Sequence, residues 1–435
     1  MKTIYILGVS FLTGVLMLAS CKKETAGGAH NSSEPIVVGD FIPHEGSAGT
    51  EVLINGHNFS DDLSAIHVAV NGVPLTVIGA NSNQIMAVVP KKLGTGKIEV
   101  SIGGQNGTSE SAFSYRYTRT VTTLAGNGTA GFANGPGPEA AFNFSSEAWY
   151  RSMGLAVDDD LNVYVADPGN HCIRKIDSLG NVSTLAGDPN TNAYADGKGV
   201  QAKFSIPYDV AVDAAGNVYA VDPGNWDIRK IAPDGTATTI AFGWQAPWSV
   251  ALDAAGNLYY GCAESPGNIH RINTDQSTEA IITGLNAPAG MAFGPDGDLY
   301  IAVSGDHTVR KYAADSWENT VVAGQSGITG YVNGSTSEAL FSNPWGLTFD
   351  RQGNLYVAGN GTWDGGDYNA DQSVRLIDLS AGKVSTFAGS GTAGYVNGIG
   401  ESAAFKAPTG VCVDKNGTVY VLDKGNNVIR KIVSE

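Results

Sequence analysis

Short runs of β-forming residues alternate with turn residues through the stretch 154–187. The runs are LAV (155–157), VYVA (163–166), CIRKI (172–176) and VSTLA (182–186), and Asp, Asn, Gly and Pro separate them. Runs of this length between turn residues predict an antiparallel four-stranded meander. One such sheet has two open edges and cannot bury both of its faces alone. The pattern therefore predicts further sheets packed beside it.

The same pattern returns along the rest of the chain and supplies those sheets. The predicted second strand carries a tyrosine in each of six copies: Tyr164, Tyr219, Tyr259, Tyr300, Tyr356 and Tyr420. The first strand ends in aspartate in five of them: Asp158, Asp213, Asp253, Asp350 and Asp414. The third strand carries an arginine in five: Arg174, Arg229, Arg310, Arg375 and Arg430. Radial repetition of four-stranded sheets predicts a β-propeller, in which these recurrent residues are structural.

The copies YVADPGNHCIRKI, YAVDPGNWDIRKI and YVLDKGNNVIRKI resemble NHL repeats. The resemblance implies a six-bladed β-propeller over residues 118–435, a fold that serves as a binding platform and, in relatives, as a lyase or lactonase. The last copy lacks a fourth strand, and RTVTTLAG (119–126) matches that strand as it stands in NVSTLAG and KVSTFAG. We therefore expect strand 119–126 to close the propeller and to remove the open edges.

Residues 35–117 carry short alternating strands with glycine turns, which predict a small β-sandwich. The segment PHEGSAGTEVLINGHNF resembles the IPT/TIG family of immunoglobulin-like domains. In surface proteins the resemblance implies a spacer or a docking module. The fold class expected for the whole chain is all-β, an immunoglobulin-like β-sandwich followed by a six-bladed β-propeller.

The N-terminus is typical of an exported lipoprotein. Residues 1–20 have Lys2 followed by an apolar stretch too short to span a membrane, which predicts a signal peptide. The sequence LASC, ending at Cys21, resembles a bacterial lipobox and implies acylation of the Cys21 thiol. The charged residues after Cys21 resemble the export signal of surface lipoproteins in Bacteroidota-like bacteria. Residues 21–34 predict a flexible tether, and the expected location is the outer membrane, exposed at the surface.

One face of the propeller is the expected binding site. Four connections between blades on that face are long (126–144, 187–207, 324–344 and 389–408) and two are short (241–247 and 284–288), which predicts a mouth with a low side. Aromatic rings beside carboxylates and amides suit a glycan, whose C–H faces stack while its hydroxyls form hydrogen bonds. The candidate ligand-binding residues are Trp149, Tyr150, Tyr208, Asp209, Trp226, Trp248, Trp345 and Trp363.

Two other functions stay open at this point. A protein-interaction scaffold of the cell envelope needs only an exposed surface that a partner protein can contact. A metal-dependent lactonase- or lyase-like enzyme needs carboxylates, Asn or His around the channel, but the first strands read GLAV, DVAV, SVAL, GMAF, GLTF and GVCV. No acid–base pair or nucleophile constellation emerges from the spacing, which argues against an enzyme.

The net charge and the candidate metal-ligating residues limit which partners and cofactors are expected. The net charge of −16 and the lack of a basic stripe argue against nucleic-acid binding. The segment with Asp364, Asp367, Asn369 and Asp371 resembles the first oxygen ligands of a calcium loop, but the later glycine and the bidentate Glu are missing. A solvated turn is the favoured interpretation, no cofactor is expected, and the expected partners are a glycan or an envelope protein, with the membrane reached through Cys21.

Overall fold

The computed structural model describes residues 30–144, 154–243, 245–263, 266–359 and 371–435. The described chain divides into two compact units, with the boundary between Arg116 and Tyr117. Strands dominate both units, which confirms the all-β fold class. The described helices are single 3₁₀ turns at Leu63–Ala65, Gly137–Glu139, Pro168–Asn170, Gly199–Gln201, Ser304–Asp306, Gly400–Ser402 and Lys424–Asn426. Within the described ranges, none of the helices has the length and apolar character that a membrane span requires.

The first unit is an immunoglobulin-like, barrel-shaped sheet. Its strands follow the order β1-β3-β6-β5-β4-β7-β8-β2. Alternate residues point inward, and the fully buried rings of Phe41, Phe59 and Phe113 lie in its core. The strands are β1 (Val37–Ile42), β2 (Glu45–Gly46), β3 (Glu51–His57), β4 (Ile66–Val70), β5 (Val73–Asn81), β6 (Gln84–Val88), β7 (Gly96–Ile102) and β8 (Gln105–Tyr115).

The second unit contains six antiparallel sheets, and the predicted six-bladed propeller is confirmed. It opens with β9 (Arg119–Ala125). The first blade has β10 (Gly135–Pro136), β11 (Leu155–Val157), β12 (Val163–Asp167), β13 (Cys172–Ile176) and β14 (Asn181–Gly187). The second has β15 (Gly197–Lys198), β16 (Asp209–Val212), β17 (Val218–Asp222), β18 (Asp227–Ile231) and β19 (Thr236–Phe242). The third has β20 (Ser249–Leu252), β21 (Leu258–Cys262), β22 (Gly267–Ile272) and β23 (Thr278–Leu285).

The remaining blades follow the same plan. The fourth has β24 (Pro288–Phe293), β25 (Leu299–Val303), β26 (Thr308–Tyr312) and β27 (Asn319–Ala323). The fifth has β28 (Gly334–Ser335), β29 (Pro344–Phe349), β30 (Leu355–Gly359), β31 (Gln372–Asp378) and β32 (Lys383–Gly391). The sixth has β33 (Gly398–Ile399), β34 (Pro408–Val413), β35 (Val419–Asp423) and β36 (Val428–Ser434), and it takes β9 as its outer strand.

The sixth blade joins the two ends of the propeller. β9 pairs antiparallel with β36, from Arg119 opposite Ser434 to Ala125 opposite Ile429. Val121 of β9 is fully buried in the same apolar cluster as Val419 and Ile432. This pairing gives β36 a partner along its length and closes the ring of blades.

Each blade repeats one hydrogen bond between its first two long strands. The tyrosine hydroxyl donates to the aspartate that follows the innermost strand, as from Tyr164 to Asp158 (2.9 Å) and from Tyr420 to Asp414 (3.1 Å). The fourth blade has Gly294 in the place of the aspartate, and Asp296 accepts the bond from Tyr300 instead, at 2.9 Å. Burial and the neighbouring carboxylate raise the pKa of these hydroxyls. The tyrosines are therefore structural, as the repeat predicts.

Four blades also contain a buried arginine that fastens the long connection to the blade. Arg430 shows the arrangement: its guanidinium donates to Asp423 (2.8 Å), to the carbonyls of Ala404 and Val396, and to the amide oxygen of Asn397. The rings of Tyr395 and Phe405 lie on the guanidinium at 5.1 and 5.0 Å. Arg174, Arg229 and Arg375 make the equivalent contacts with their own connections and ring pairs.

The third and fourth blades follow short connections and lack this arrangement. His270 occupies the arginine position in the third blade and stacks on Tyr260, with ring centroids 4.9 Å apart and planes 7° apart. Burial lowers the pKa of His270. In the fourth blade Arg310 is partly exposed and pairs with Asp306 at 2.6 Å. A long connection and a sandwiched arginine thus occur together, and both are missing from the same two blades.

The second blade carries an additional buried carboxylate, Asp227, beside its arginine. Neither oxygen of Asp227 has a hydrogen-bond partner, and the nearest cationic atom of Arg229 lies 3.7 Å away. Asp222 is directly opposite Asp227 in the neighbouring strand and is also buried. Burial, reinforced by the charge of Asp222, raises the pKa of Asp227 to about 8. Asp227 is therefore held in its protonated form at neutral pH.

We predict that Val121→Asp destabilises the propeller by about 3 kcal/mol or more, because it places an unpaired charge in the closing contact. Thr122→Asp is the matched control, since Thr122 is the next residue of β9 and is exposed opposite Lys431. Urea unfolding of the two variants measures the difference. Equal losses in both would contradict the account of closure.

We also predict that Asp227→Asn weakens the pH dependence of stability. The unfolded carboxyl titrates near pH ~4, whereas the folded one has its pKa at about 8. The protonated carboxyl therefore contributes stability that is complete below about pH 4 and is lost as the pH rises through about 8. Denaturant unfolding between these pH values should give a flatter profile for the variant, with Glu401→Gln, an exposed substitution, as the control. An unchanged slope would show that Asp227 does not titrate in this range.

Candidate binding face of the propeller

The long connections, called the wall below, begin and end on one face of the propeller and pass along the outer edges of their blades. They lead into the first, second, fifth and sixth blades, and each adds a two-residue strand to the outer edge of its blade. The connections into the third and fourth blades span only 243–248 and 286–287. This face is called the mouth below, and the part of it beside the third and fourth blades, where the connections are short, is called its low side.

The aromatic residues predicted to bind a ligand are not equally accessible. Tyr208 is fully buried and Trp345 is 1% exposed, and both lie in the main apolar cluster of the propeller. Rings buried to this degree have no face open to a ligand. Trp149, Tyr150 and Trp363 lie outside the described residues. Two of the predicted aromatic residues are accessible in the structure. Trp248 is partly exposed and Trp226 is half exposed.

Trp248 lies on the low side of the mouth. It is the last residue of the short connection into the third blade, and its ring packs at a tilt against Tyr208, with centroids 5.4 Å apart. Gln245 of the same connection accepts a hydrogen bond from the side-chain amide of Asn268 (3.1 Å). The short connection thus carries a partly exposed indole ring and, three residues before it, a side-chain amide that is bonded to the amide of Asn268.

Asp209 occupies the neck of the channel. Glycines stand at the equivalent place in four other blades (Gly154, Gly290, Gly346 and Gly410). At the first three of them the backbone of the neighbouring blade approaches closely. The Asp209 carboxylate instead accepts hydrogen bonds from the backbone N–H groups of Val250 and Val210, both at 2.9 Å. Burial raises the pKa of Asp209 to about 7, and these two bonds partly offset the effect. Asp209 thus links the second and third blades.

Below the neck lies a channel cavity of about 290 Å³. The innermost strands of all six blades line it, with Met291, Phe293 and Phe349 on one side and Leu155 and Val411 on the other. Arg351 and Asp159 form an ion pair at 2.7 Å between turns of the fifth and first blades, at the end of the channel away from the mouth. Since these blades are not neighbours, the pair crosses that end of the channel.

The other polar candidates near the mouth are engaged in structural contacts. Asp222 accepts hydrogen bonds from the backbone N–H groups of Ser205 and Ile206. Asn225 donates to the carbonyl of Ala193 (3.1 Å). Asp306 pairs with Arg310, as described above. These side chains hold the connections in place, and the sequence pattern alone does not separate that role from ligand binding.

The calcium candidate is only partly within the described residues. Asp364, Asp367 and Asn369 lie outside them. Asp371 is buried, and its carboxylate binds Arg375 (3.1 Å) and Ser373 (2.7 Å). Burial raises the pKa of Asp371 to about 6, although Arg375 opposes the shift. Asp371 thus replaces the aspartate that ends the second strand in other blades, a place taken here by Gly359. Among the described residues, no group of three or more His, Cys, Asp or Glu side chains is arranged to hold a metal ion.

Curated relatives are similar to this chain over about 70% of its length. Protein SUPPRESSOR OF QUENCHING 1, chloroplastic, from Arabidopsis thaliana is 28% identical over 72% of this chain and 27% of its own length. NHL repeat-containing protein 2 from Homo sapiens is 30% identical over 68% of this chain and 41% of its own length. The chain therefore spans less than half of the length of these relatives.

Solved structures share the fold over nearly the whole chain. A protein of unknown function from Bacteroides thetaiotaomicron VPI-5482 is similar over 94% of this chain and 100% of its own, with a TM-score of 0.64 at 24% identity. Auxiliary nutrient binding proteins from Bacteroides thetaiotaomicron VPI-5482 and Bacteroides ovatus ATCC 8483 are 23% identical over 94% of this chain and 99% and 100% of theirs, with TM-scores of 0.58 and 0.57. At these identities the similarity concerns the fold.

Family models assign both units. The IPT/TIG domain matches residues 36–117, and the NHL repeat matches residues 154–176 and 405–432. The first match covers the barrel-shaped sheet, and the other two cover strands of the first and sixth blades. The chain thus consists of an IPT/TIG domain and an NHL-repeat six-bladed β-propeller.

Proposed function

We propose that this chain is a ligand-binding protein of the bacterial cell envelope and that the mouth of its propeller binds a glycan. The observation that carries the proposal is the low side of the mouth, where the connections are short and Trp248 is partly exposed. The indole ring offers an apolar surface, and the amides of Gln245, in the same connection, and of its partner Asn268 offer hydrogen-bonding atoms. Sugar rings have the complementary character, with apolar C–H faces and hydroxyls at their edges.

The similar structures support a binding role. Two of them are named auxiliary nutrient binding proteins, and their similarity to this chain extends over both of its units. A binding protein needs a preformed concave site rather than a catalytic constellation. The channel neck, which is held by backbone contacts and by Asp209, provides such a rigid base below the mouth.

A lipid anchor and a spacer complete the proposal. Acylation of Cys21 would hold the chain at the outer membrane, and residues 21–34 would act as a flexible tether. The IPT/TIG domain would then separate the propeller from the bilayer. This arrangement suits a protein that captures a polymer at the cell surface, because the binding site must clear the lipid headgroups.

We predict that Trp248→Ala weakens retention of the mature chain in polysaccharide affinity gels by about tenfold or more, because it removes the exposed ring of the mouth. Trp317→Ala is the control, since Trp317 lies in a turn between third and fourth strands, on the face opposite the mouth. Thermal unfolding shows whether both variants are folded. Failure of the wild-type chain to bind any member of a broad polysaccharide panel would refute the glycan proposal.

We predict that Cys21 carries the lipid. In a bacterial host fed a labelled fatty acid, the wild-type chain should take up label and sediment with membranes. Cys21→Ser should do neither, because the hydroxyl does not replace the thiol as the acylation site. Cys172→Ser, a substitution at a buried cysteine of the first blade, is the control. Label that persists in the Cys21→Ser variant would contradict the proposed anchor.

A further inference from the structure

Three aromatic rings are exposed together at the rim of the second blade. Tyr194 is 48% exposed, Trp226 is 50% exposed and Phe242 is 56% exposed. The centroids of the Tyr194 and Phe242 rings are 6.0 Å apart, and the carbonyl of Trp226 accepts a hydrogen bond from Gly243, the residue after Phe242 (2.8 Å). These three residues, called the second-blade shelf, lie beside the short connection that leads to Trp248.

The shelf arises where the second blade departs from the repeat. Four other blades have glycine after the outer strand, at Gly126, Gly187, Gly324 and Gly389, each with a positive φ between 92° and 110°. A Cβ at Gly187 would lie 2.5 Å from the carbonyl oxygen of His171, so these sites exclude a side chain. The second blade is followed by a short connection that continues without this turn. Phe242 therefore replaces the glycine and projects into solvent.

Trp226 is a second, separate departure. It occupies the left-handed position before the third strand, which holds His171, His307 and Asn427 in other blades. There the side chain reaches the connection to the next blade, as when Asn427 accepts a hydrogen bond from the backbone N–H of Phe144 (3.0 Å). The short connection after the second blade leaves no such target. A large apolar ring is thus placed in a strained backbone conformation and left half exposed, which a purely structural role does not explain.

Tyr194 makes the shelf rigid and gives it a polar edge. Its ring lies 5.4 Å from the guanidinium of Arg229, and its hydroxyl bonds to the hydroxyl of Thr239 (3.0 Å). Asp196 accepts hydrogen bonds from Arg229 and from Thr239, both at 2.9 Å, and remains partly exposed. The shelf is therefore bordered, at Tyr194, by hydroxyl and carboxylate oxygens.

We propose that the second-blade shelf is a subsite for a neutral oligosaccharide chain that extends outward from the mouth. This inference rests on the proposed function. It adds that the glycan extends outward over the second blade, that more than one sugar unit is bound and that the glycan is neutral. Ring faces bordered by oxygen atoms fit successive sugar units better than an apolar protein segment, because the oxygens satisfy hydroxyls that would otherwise lose water. The net charge of −16 and the exposed carboxylate of Asp196 near Tyr194 disfavour acidic glycans.

The test uses matched variants of the mature chain in affinity gels that contain dextran, mixed-linkage β-glucan, xylan, mannan or polygalacturonate. Tyr194→Ala is paired with Tyr395→Ala, because Tyr395 has the same environment in the sixth blade: it is 49% exposed, stacks on Arg430 and bonds to Thr123 (2.9 Å). Trp226→His introduces the residue found at this place in two other blades. Phe242→Ala removes the third ring.

We expect Tyr194→Ala, Trp226→His and Phe242→Ala each to weaken retention of a neutral polysaccharide by about three- to tenfold. Tyr395→Ala should bind like the wild type, and polygalacturonate should not retain any variant. If Trp248→Ala abolishes retention while the shelf variants bind normally, the shelf proposal is overturned and the mouth remains the glycan site. If the wild-type chain is retained by no polysaccharide, the proposed function and the shelf fail together.

Discussion

The buried arginine of the third strand is the interaction on which the shape of the propeller face depends. Its guanidinium lies between two aromatic rings and binds main-chain carbonyls of the long connection. In three of the four blades it also pairs with a buried aspartate at 2.8–3.1 Å. A buried cation is tolerated only when its charge and hydrogen-bond donors are satisfied. The long connection supplies these partners, so the connection is fixed wherever the arginine is sandwiched.

The same constraint explains where the face is open. The third and fourth blades have short connections, and their third strands carry His270 and a partly exposed Arg310 in place of a sandwiched arginine. The wall is therefore absent beside these blades. The second blade is preceded by a long connection, which Arg229 holds, and is followed by a short connection. Phe242 and Trp226 follow from this position, because neither meets the connection that covers its counterparts in other blades.

Much of the fold could be predicted from the sequence, because the same residue types recur at corresponding positions in the blades. The spacing of tyrosine, aspartate and arginine predicts six blades, and the strand missing after Ile432 points to residues 119–126. The individual site residues were harder to predict. Tyr208 and Trp345 follow a proline, as Trp248 does, but their rings are buried in the main apolar cluster whereas that of Trp248 is partly exposed. This difference arises from tertiary packing, which the local sequence does not show. Phe242 and Tyr194 were missed because they stand among ordinary strand and loop residues. The glycine that replaces Phe242 in four blades is the signal that would have revealed it.

The most direct test of the account is hydrogen–deuterium exchange of the mature chain with and without a retained oligosaccharide. The account predicts slower exchange of the backbone N–H groups around Trp226 and in 242–248, with little change in the first unit or in the turns at the far end of the channel. Protection confined to the IPT/TIG domain, or to the turns that carry Asp159 and Arg351, would place the ligand elsewhere and contradict the claim that the low side of the mouth is the binding site.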